Sequence, residues 1–331
     1  MTANVSVIIP VYNCERFIAE AVDSVLAQSF RDFELIVVDD GSTDRTAEVV
    51  KSYGPRLTYI YQTNQERSAA RNAGIRRASG QYLAFLDADD IWLPQKLERQ
   101  IEVFDRAPEI GLVHSWAYFI DGSSQRLTFG TRNLAGSPEA GNRAFESLLF
   151  GNFIASPTPV IRAQCVRELG PFDESLVHVE DWDMWLRISA RYPIAFVPEP
   201  LAGYRILRDD WLEKWERYGV AESSIMVVQR ACQSFGRQAS LGLLRRRALA
   251  YHRWEAARAN FKLGHFHLAR QHLFRALVED RALWHHPHAK YMLVELLLLL
   301  EPLSSLRRLR RRIIRLVGRK IHRSRGTQVR V

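Results

Sequence analysis

The 331-residue chain has only three cysteines, Cys14, Cys165 and Cys232. They are far apart, odd in number and without metal-ligand spacing, which excludes a disulfide scaffold and a cysteine-built zinc site. They read as reduced thiols of a cytosolic protein. A long apolar run is missing too. The best approach to one, residues 291–294 and 296–300, is interrupted by Glu295 and closed by Glu301 and Pro302. That is too short to span a bilayer. No basic segment followed by an apolar core precedes the first strand pattern, so no secretory leader is read there. Acidic residues are absent from one region: from Leu303 to Val331 there are eleven Lys and Arg and no Asp or Glu. The preceding 302 residues hold 35 basic and 37 acidic groups, so the net charge of +9 is the property of a tail. The near-neutral body argues against a general nucleic-acid surface.

What remains is an ordinary folded composition, 47% hydrophobic and 25% charged, able to bury a sizeable core. Over the first 120 residues strand and helix patterns alternate. Residues 5–11 form a continuous apolar run with a β-branched bias, as in a strand buried on both faces. Residues 17–26 carry apolar side chains at helical spacing. Further strands are expected at 33–38, 57–61, 82–86 and 111–119, and helices at 68–78 and 96–104. Ser42 or Thr43 is placed to cap another helix running to Tyr53. This alternation predicts an α/β fold with a mostly parallel sheet and helices on both faces. Residues 120–160 lose the rhythm and are expected to hold long loops. A helix is expected at 182–191, then short strands at 194–197 and 202–206. Beyond about Trp211 only helical patterns remain. The pair 248–262 and 266–278 around Gly264 resembles one tetratricopeptide unit, with no clear second copy.

In an open parallel sheet, ligands bind beyond the carboxyl ends of the strands. Here those ends are polar: Tyr12-Asn13, Asp39-Asp40-Gly41-Ser42, Asn64, and Asp87-Ala88-Asp89-Asp90. One Asp-Gly-Ser is most simply a turn and cap. Acids at several neighbouring strand ends are not, because clustered carboxylates repel unless a cation or donor groups offset them. Extended geometry would turn Asp87 and Asp89 the same way, towards one hard cation such as Mg2+ or Mn2+.

VSVIIPVYN at 5–13, VVDDGSTD at 37–44, SAARNAG at 68–74, GQYLAFLDADDIWLP at 80–94 and VEDWDMWLR at 179–187 together resemble the segments that mark family 2 inverting glycosyltransferases. The resemblance covers residues 4–206 in order and spacing. It implies a GT-A-like, Rossmann-related fold in residues 1–209, with a nucleotide-sugar-binding half at 1–119 and an acceptor-binding half at 120–209. It implies that Pro10 and Tyr12 line the nucleotide base, that Asp40, with Asp39 beside it, accepts a hydrogen bond from that base, and that Arg71 lies near the donor. It further places Asp87 at the ribose, Asp89 on the divalent cation, and Asp181 as catalytic base, with Glu180 its rival. Trp182 and Trp185 would wall Asp181 and raise its pKa; core packing is the simpler role for Trp185. Asp183 reads as a first-turn helix acid. Two positions depart from the family pattern. Glu66 stands where Gly is common, and Leu207 follows Tyr204-Arg205-Ile206 where a His is common, leaving Arg205 or Arg208 to supply charge.

The implied activity is inverting transfer from a nucleotide-diphosphate sugar, of the UDP class, to a sugar or lipid-linked glycan, as in surface polysaccharide synthesis. A nucleotidyltransferase would need a Gly-rich phosphate loop where Tyr12-Asn13-Cys14-Glu15 stands. A non-catalytic scaffold acting through its helical region, residues 210–302, is the other alternative; the intact acids argue against it. Residues 303–331 pattern as a basic amphipathic helix. Such a helix suits an anionic membrane surface, at about 1 kcal/mol per basic group, and so a cytoplasmic protein peripheral to the inner face of the plasma membrane. A helix packed on its own domain is the competing reading. No aromatic platform for nucleic acid is interleaved.

Overall fold

The computed structural model describes residues 3–128, 134–135, 141, 143–176, 178–207, 220–235 and 241–285. The chain divides into two compact units, Met1–Ser223 and Ser224–Val331. The boundaries expected at 209/210 and 302/303, Arg208 and the basic tail lie outside the described residues.

In the first unit a nine-stranded sheet runs in the order β3-β2-β1-β4-β8-β6-β9-β5, with β7 paired to β6. Strands β1 (Val5–Val11), β2 (Phe33–Asp39), β3 (Thr58–Tyr61) and β4 (Tyr82–Phe85) are mutually parallel. The apolar run of β1 is fully buried because helices cover both faces. Val5, Val7 and Ile9 join a core with α1 (Ile18–Leu26) and α4 (Lys96–Arg106). The opposite face receives α3 (Glu66–Arg77): Ala70 packs with Ile36 and Val38. This helix approaches so closely that a Cβ on Gly74 would fall 2.5 Å from Ile8.

Sequence patterning located these elements to within a few residues, with three differences. Helix α2 (Thr46–Lys51) starts later than expected and has no side-chain cap. Ser42 and Thr43 are held instead by Asn13 of the neighbouring loop. The two short strands expected after residue 194 are one bulged strand, β9 (Ile194–Arg205), parallel to β6 (Leu112–Ile120). The stretch expected to be loops contains β7 (Leu134–Ala135), α5 (Ala144–Leu148) and β8 (Val160–Arg162), followed by α6 (Ala163–Leu169). Strand β8 inserts antiparallel between β4 and β6, and β5 (Ile91–Trp92) pairs antiparallel with β9. These pieces are too short to carry a hydrophobic period. Helix α7 (Glu180–Ser189) completes the unit.

The described part of the second unit is helical. After α8 (Val220–Phe235), helices α9 (Leu241–Lys262) and α10 (Phe266–Glu279) pack around Trp254, Ala257, Ala269, Leu273 and Ala276. The small residues let the helices approach, and Arg253 pairs with Glu279 at 2.8 Å. Among the described residues no helix is long and apolar enough to cross a membrane.

Candidate active site

The carboxyl ends of β1, β2 and β4 surround an open cavity of about 360 Å3. Pro10 and Tyr12 form one wall. Tyr12 is 52% exposed, so its aromatic side chain is not buried in the core. Asn13, in left-handed backbone at φ 48°, accepts from the Thr43 N–H at 2.7 Å and donates its own N–H to Ser42 Oγ at 3.0 Å. It thereby fastens the first loop to the second. Asp39 and Asp40 then part company. Asp39 is fully buried; it accepts from the Ser42 N–H and from the Tyr59 hydroxyl. It therefore shapes the loop and does not line the cavity. Asp40 does line it, and its Oδ1 accepts from Gln62 Nε2 at 2.7 Å and from the Gln65 N–H at 2.9 Å. Gly41 makes the turn at φ 81°, where a Cβ would lie 2.8 Å from the Asn64 backbone nitrogen.

At the end of β4, Asp87 and Asp89 both line the cavity. They do so by a different geometry from the extended one expected. The chain turns immediately after the strand, with the Asp90 N–H bonded to the Asp87 carbonyl at 3.0 Å. Arg71, 4% exposed, clasps two acids: Nη2 meets Asp87 Oδ1 and Nη1 meets Glu180 Oε1, each at 2.7 Å. Burial alone would raise both acids, but Arg71 and Arg67 outweigh it and hold both below their ordinary values. Asp89 has no such clasp. Burial, then the charge of Asp87, raises its pKa. Asp90 is raised further by burial and by both neighbours; its Oδ1 accepts from the Arg205 N–H at 2.7 Å.

Asp181 follows Glu180 at the start of α7. Its Oδ2 accepts from Asn152 Nδ2 at 3.0 Å and its Oδ1 from the Trp182 N–H at 2.6 Å. Burial, then the charge of Glu180, pushes its carboxyl up to about 7. It does not itself line the cavity, but its chain neighbour Glu180 is tied through Arg71 to Asp87, and the charge of Asp181 acts on Arg67; Asp87 and Arg67 both line the cavity. Trp182 and Trp185 are core residues, 5% and 2% exposed. Trp182 Nε1 bonds the Leu148 carbonyl and Trp185 packs edge-on to Phe172. Asp183 pairs with Arg187 one turn on at 2.8 Å, as a first-turn acid does.

Sequence reasoning passed over several residues of the cavity: Cys14, Phe17, Arg67 and Ala70. Arg67 was legible in principle, since it lies four residues before Arg71 and so on the same helix face. Glu66 and Leu207, the two departures, both border the cavity. Glu66 adopts φ 72°, the backbone that Gly would favour. Arg205 does not line the cavity, but its charge acts on Asp89 from behind it. Its guanidinium is buried against Phe17, pairs with Glu20 and donates to the Asp89 and Asp121 carbonyls.

The residues fit a hard divalent cation. Burial, then the charge of Asp87, destabilises the Asp89 carboxylate, and the Asp87 and Asp40 carboxylates border the same cavity. Among the described residues no cluster of three or more His, Cys, Asp or Glu ligands forms. A cation held here would complete its shell with water and phosphate oxygens, as Mg2+ commonly does.

Residues 6–150 match the family described as Glycosyl transferase family 2. A glycosyltransferase of Methanocaldococcus jannaschii, itself uncharacterized, is 33% identical over 218 residues, which cover 63% of this chain and 73% of the relative. The chain belongs to glycosyltransferase family 2. An uncharacterized glycosyltransferase of Rickettsia typhi is 36% identical over 192 residues, 57% of this chain and 60% of the relative's length. Among solved structures, S. aureus TarS 1-349 in complex with UDP is similar at TM-score 0.54 and 20% identity, covering 83% of this chain and 88% of that one. The mannosyltransferase PcManGT from Pyrobaculum calidifontis, in complex with GDP-Man and Mn2+, is similar at TM-score 0.57 and 19% identity, covering 91% and 82%. Both are likenesses of fold, and they support a GT-A-type architecture for this glycosyltransferase.

Proposed function

We propose that this chain transfers a sugar, with inversion, from a nucleoside-diphosphate sugar of the UDP class to a hydroxyl of a glycan or lipid-linked glycan. The observation that carries the reading is the Asp87–Arg71–Glu180 bridge. It joins Asp87 of the cavity wall to Glu180, the chain neighbour of Asp181, a separate carboxylate whose raised pKa suits a base. In this reading Tyr12 stacks on the base and Asp40 accepts its hydrogen bond. Asp87 faces the ribose and Asp89 holds the cation. A bound divalent cation supplies Lewis-acid stabilisation of the departing diphosphate. Asp181 takes the proton of the acceptor hydroxyl as that oxygen attacks the anomeric carbon from the face opposite the leaving group. Asp39 and Arg71 act as positioning residues: one shapes the nucleotide loop, the other fixes Asp87 and Glu180. UDP bound to TarS supports the nucleotide class, and Mn2+ with the mannosyltransferase supports the cation. The acceptor class extends the same reading to surface polysaccharide, with residues 303–331 holding the enzyme at an anionic cytoplasmic membrane face.

The test is calorimetry of UDP and GDP with and without Mn2+, followed by a panel of nucleotide sugars scored for release of the nucleotide. We expect UDP binding that depends on Mn2+ and weakens on the order of tenfold or more in Asp89→Asn. A chain that binds neither nucleotide with the metal would reject the donor reading and leave a scaffold role.

A further inference from the structure

Arg67 and Arg71 lie one turn apart on α3, yet their surroundings differ. Arg71 is nearly inaccessible, and its two terminal nitrogens are each fixed at 2.7 Å to a carboxylate. The Arg67 side chain is 49% exposed and lines the cavity. Its ion pair, to Glu180 Oε1, is long at 3.8 Å, and Arg71 already holds that same oxygen. Two arginines therefore share one acceptor atom, and the outer one holds it weakly.

The rest of the cavity wall makes this matter. Asp40, Glu66, Asp87 and Asp89 all border it, and among the described residues Arg67 is the sole cation that does so. Leu207 contributes no charge. An acidic cavity repels a diphosphate unless positive groups offset it, and one divalent cation offsets only part of that charge. A guanidinium matches phosphate oxygens with paired N–H donors and remains charged.

We propose that Arg67 is the diphosphate-binding arginine of the donor site, while Arg71 remains a fixed strut. On donor entry Arg67 leaves the shared oxygen of Glu180 and turns its guanidinium to the phosphate oxygens. Glu180 stays held by Arg71, so the exchange leaves no buried charge unpaired. As the bond to the anomeric carbon breaks, Arg67 stabilises the charge gathering on the leaving diphosphate. This inference rests on the donor reading above.

The experiment is calorimetry of the full chain with UDP, UMP and uridine in Mn2+, for wild type, Arg67→Met and Arg67→Lys. We expect Arg67→Met to lose on the order of tenfold to a hundredfold in UDP affinity with uridine affinity unchanged, and Arg67→Lys to recover part of the loss. Equal losses for UDP and uridine, or no loss for UDP, would overturn the role while wild-type UDP binding leaves the donor reading standing. Wild type that binds neither UDP nor GDP removes both. If Arg67→Met does not fold, the comparison of Arg67→Lys with wild type decides: an unchanged ratio of UDP to uridine affinity overturns the proposal.

Discussion

Asn152 donates from Nδ2 to Oδ2 of Asp181 at 3.0 Å, so a loop residue following α5 fixes the orientation of a carboxylate in the first turn of α7. That contact gives Asp181 a defined rotamer at a point where burial and Glu180 already weaken its acidity.

Replacing Asp181 with Asn should lower transfer on the order of 10²- to 10⁴-fold while donor binding, measured by calorimetry, stays within twofold. The pH profile carries a sign. A base must be deprotonated, so wild-type kcat should rise with pH through about 7, where Asp181 titrates. Stability runs the other way. A carboxyl raised above its ordinary 3.8 binds its proton more tightly when folded, so its contribution is full below that value and is lost as pH rises through about 7. Thermal melts should therefore show Asp181→Asn gaining on wild type between pH 4 and pH 7 and holding that gain above it. A flat difference would show that Asp181 is not the group being titrated.

The buried clasp of Arg71 predicts strong coupling. Removing one partner of a buried ion pair costs about 3–5 kcal/mol, because the other charge is left without an offset. Arg71→Met should cost that much in urea unfolding. Combined with Glu180→Gln, the loss should fall well short of the sum of the single variants. Additive losses would show that the 2.7 Å contact between them contributes little.

Glu66 occupies left-handed backbone at φ 72°, which costs a residue with a Cβ about 1–2 kcal/mol. Glu66→Gly should therefore stabilise the first unit and raise its melting temperature by about 2–4 °C. A lower melting temperature would mean that the carboxylate contributes more than the backbone loses.

The basic tail makes a prediction from sequence alone. Full-length chain should float with vesicles containing anionic lipid and should be released by high salt. A chain cut after Pro302 should stay with the soluble fraction. Equal partitioning of the two forms would remove the membrane role.

The parallel part of the sheet was legible because its strands are long enough to show buried apolar runs and end in polar clusters. Pro10, Tyr12, Asp40, Asp87 and Asp89 all reach the cavity from those ends. The division of labour between neighbours was not legible. Asp39 and Asp40 are adjacent in sequence, yet one points into the loop and the other into the cavity. Arg71 and Arg67 share a helix face, and only the packing of Glu180 and Asp87 decides which is inaccessible. Strands β5, β7 and β8 left no trace in the sequence because two or three residues cannot establish a period. Their pairing is imposed by neighbours distant in the chain.

The antiparallel insertion of β8 has a mechanical consequence. Through β4, β8, β6 and β9, each strand is paired to the next, with an irregularity between β6 and β9, so a single sheet runs from the cavity strands to the far edge of the first unit. A hinge within this sheet would have to break those pairings, so the strand ends that border the cavity are held at a fixed spacing. In the proposed reaction, entry of the acceptor and departure of the nucleotide would then fall to the segments beyond the strand ends, so changes that speed product release should map there and not to the sheet.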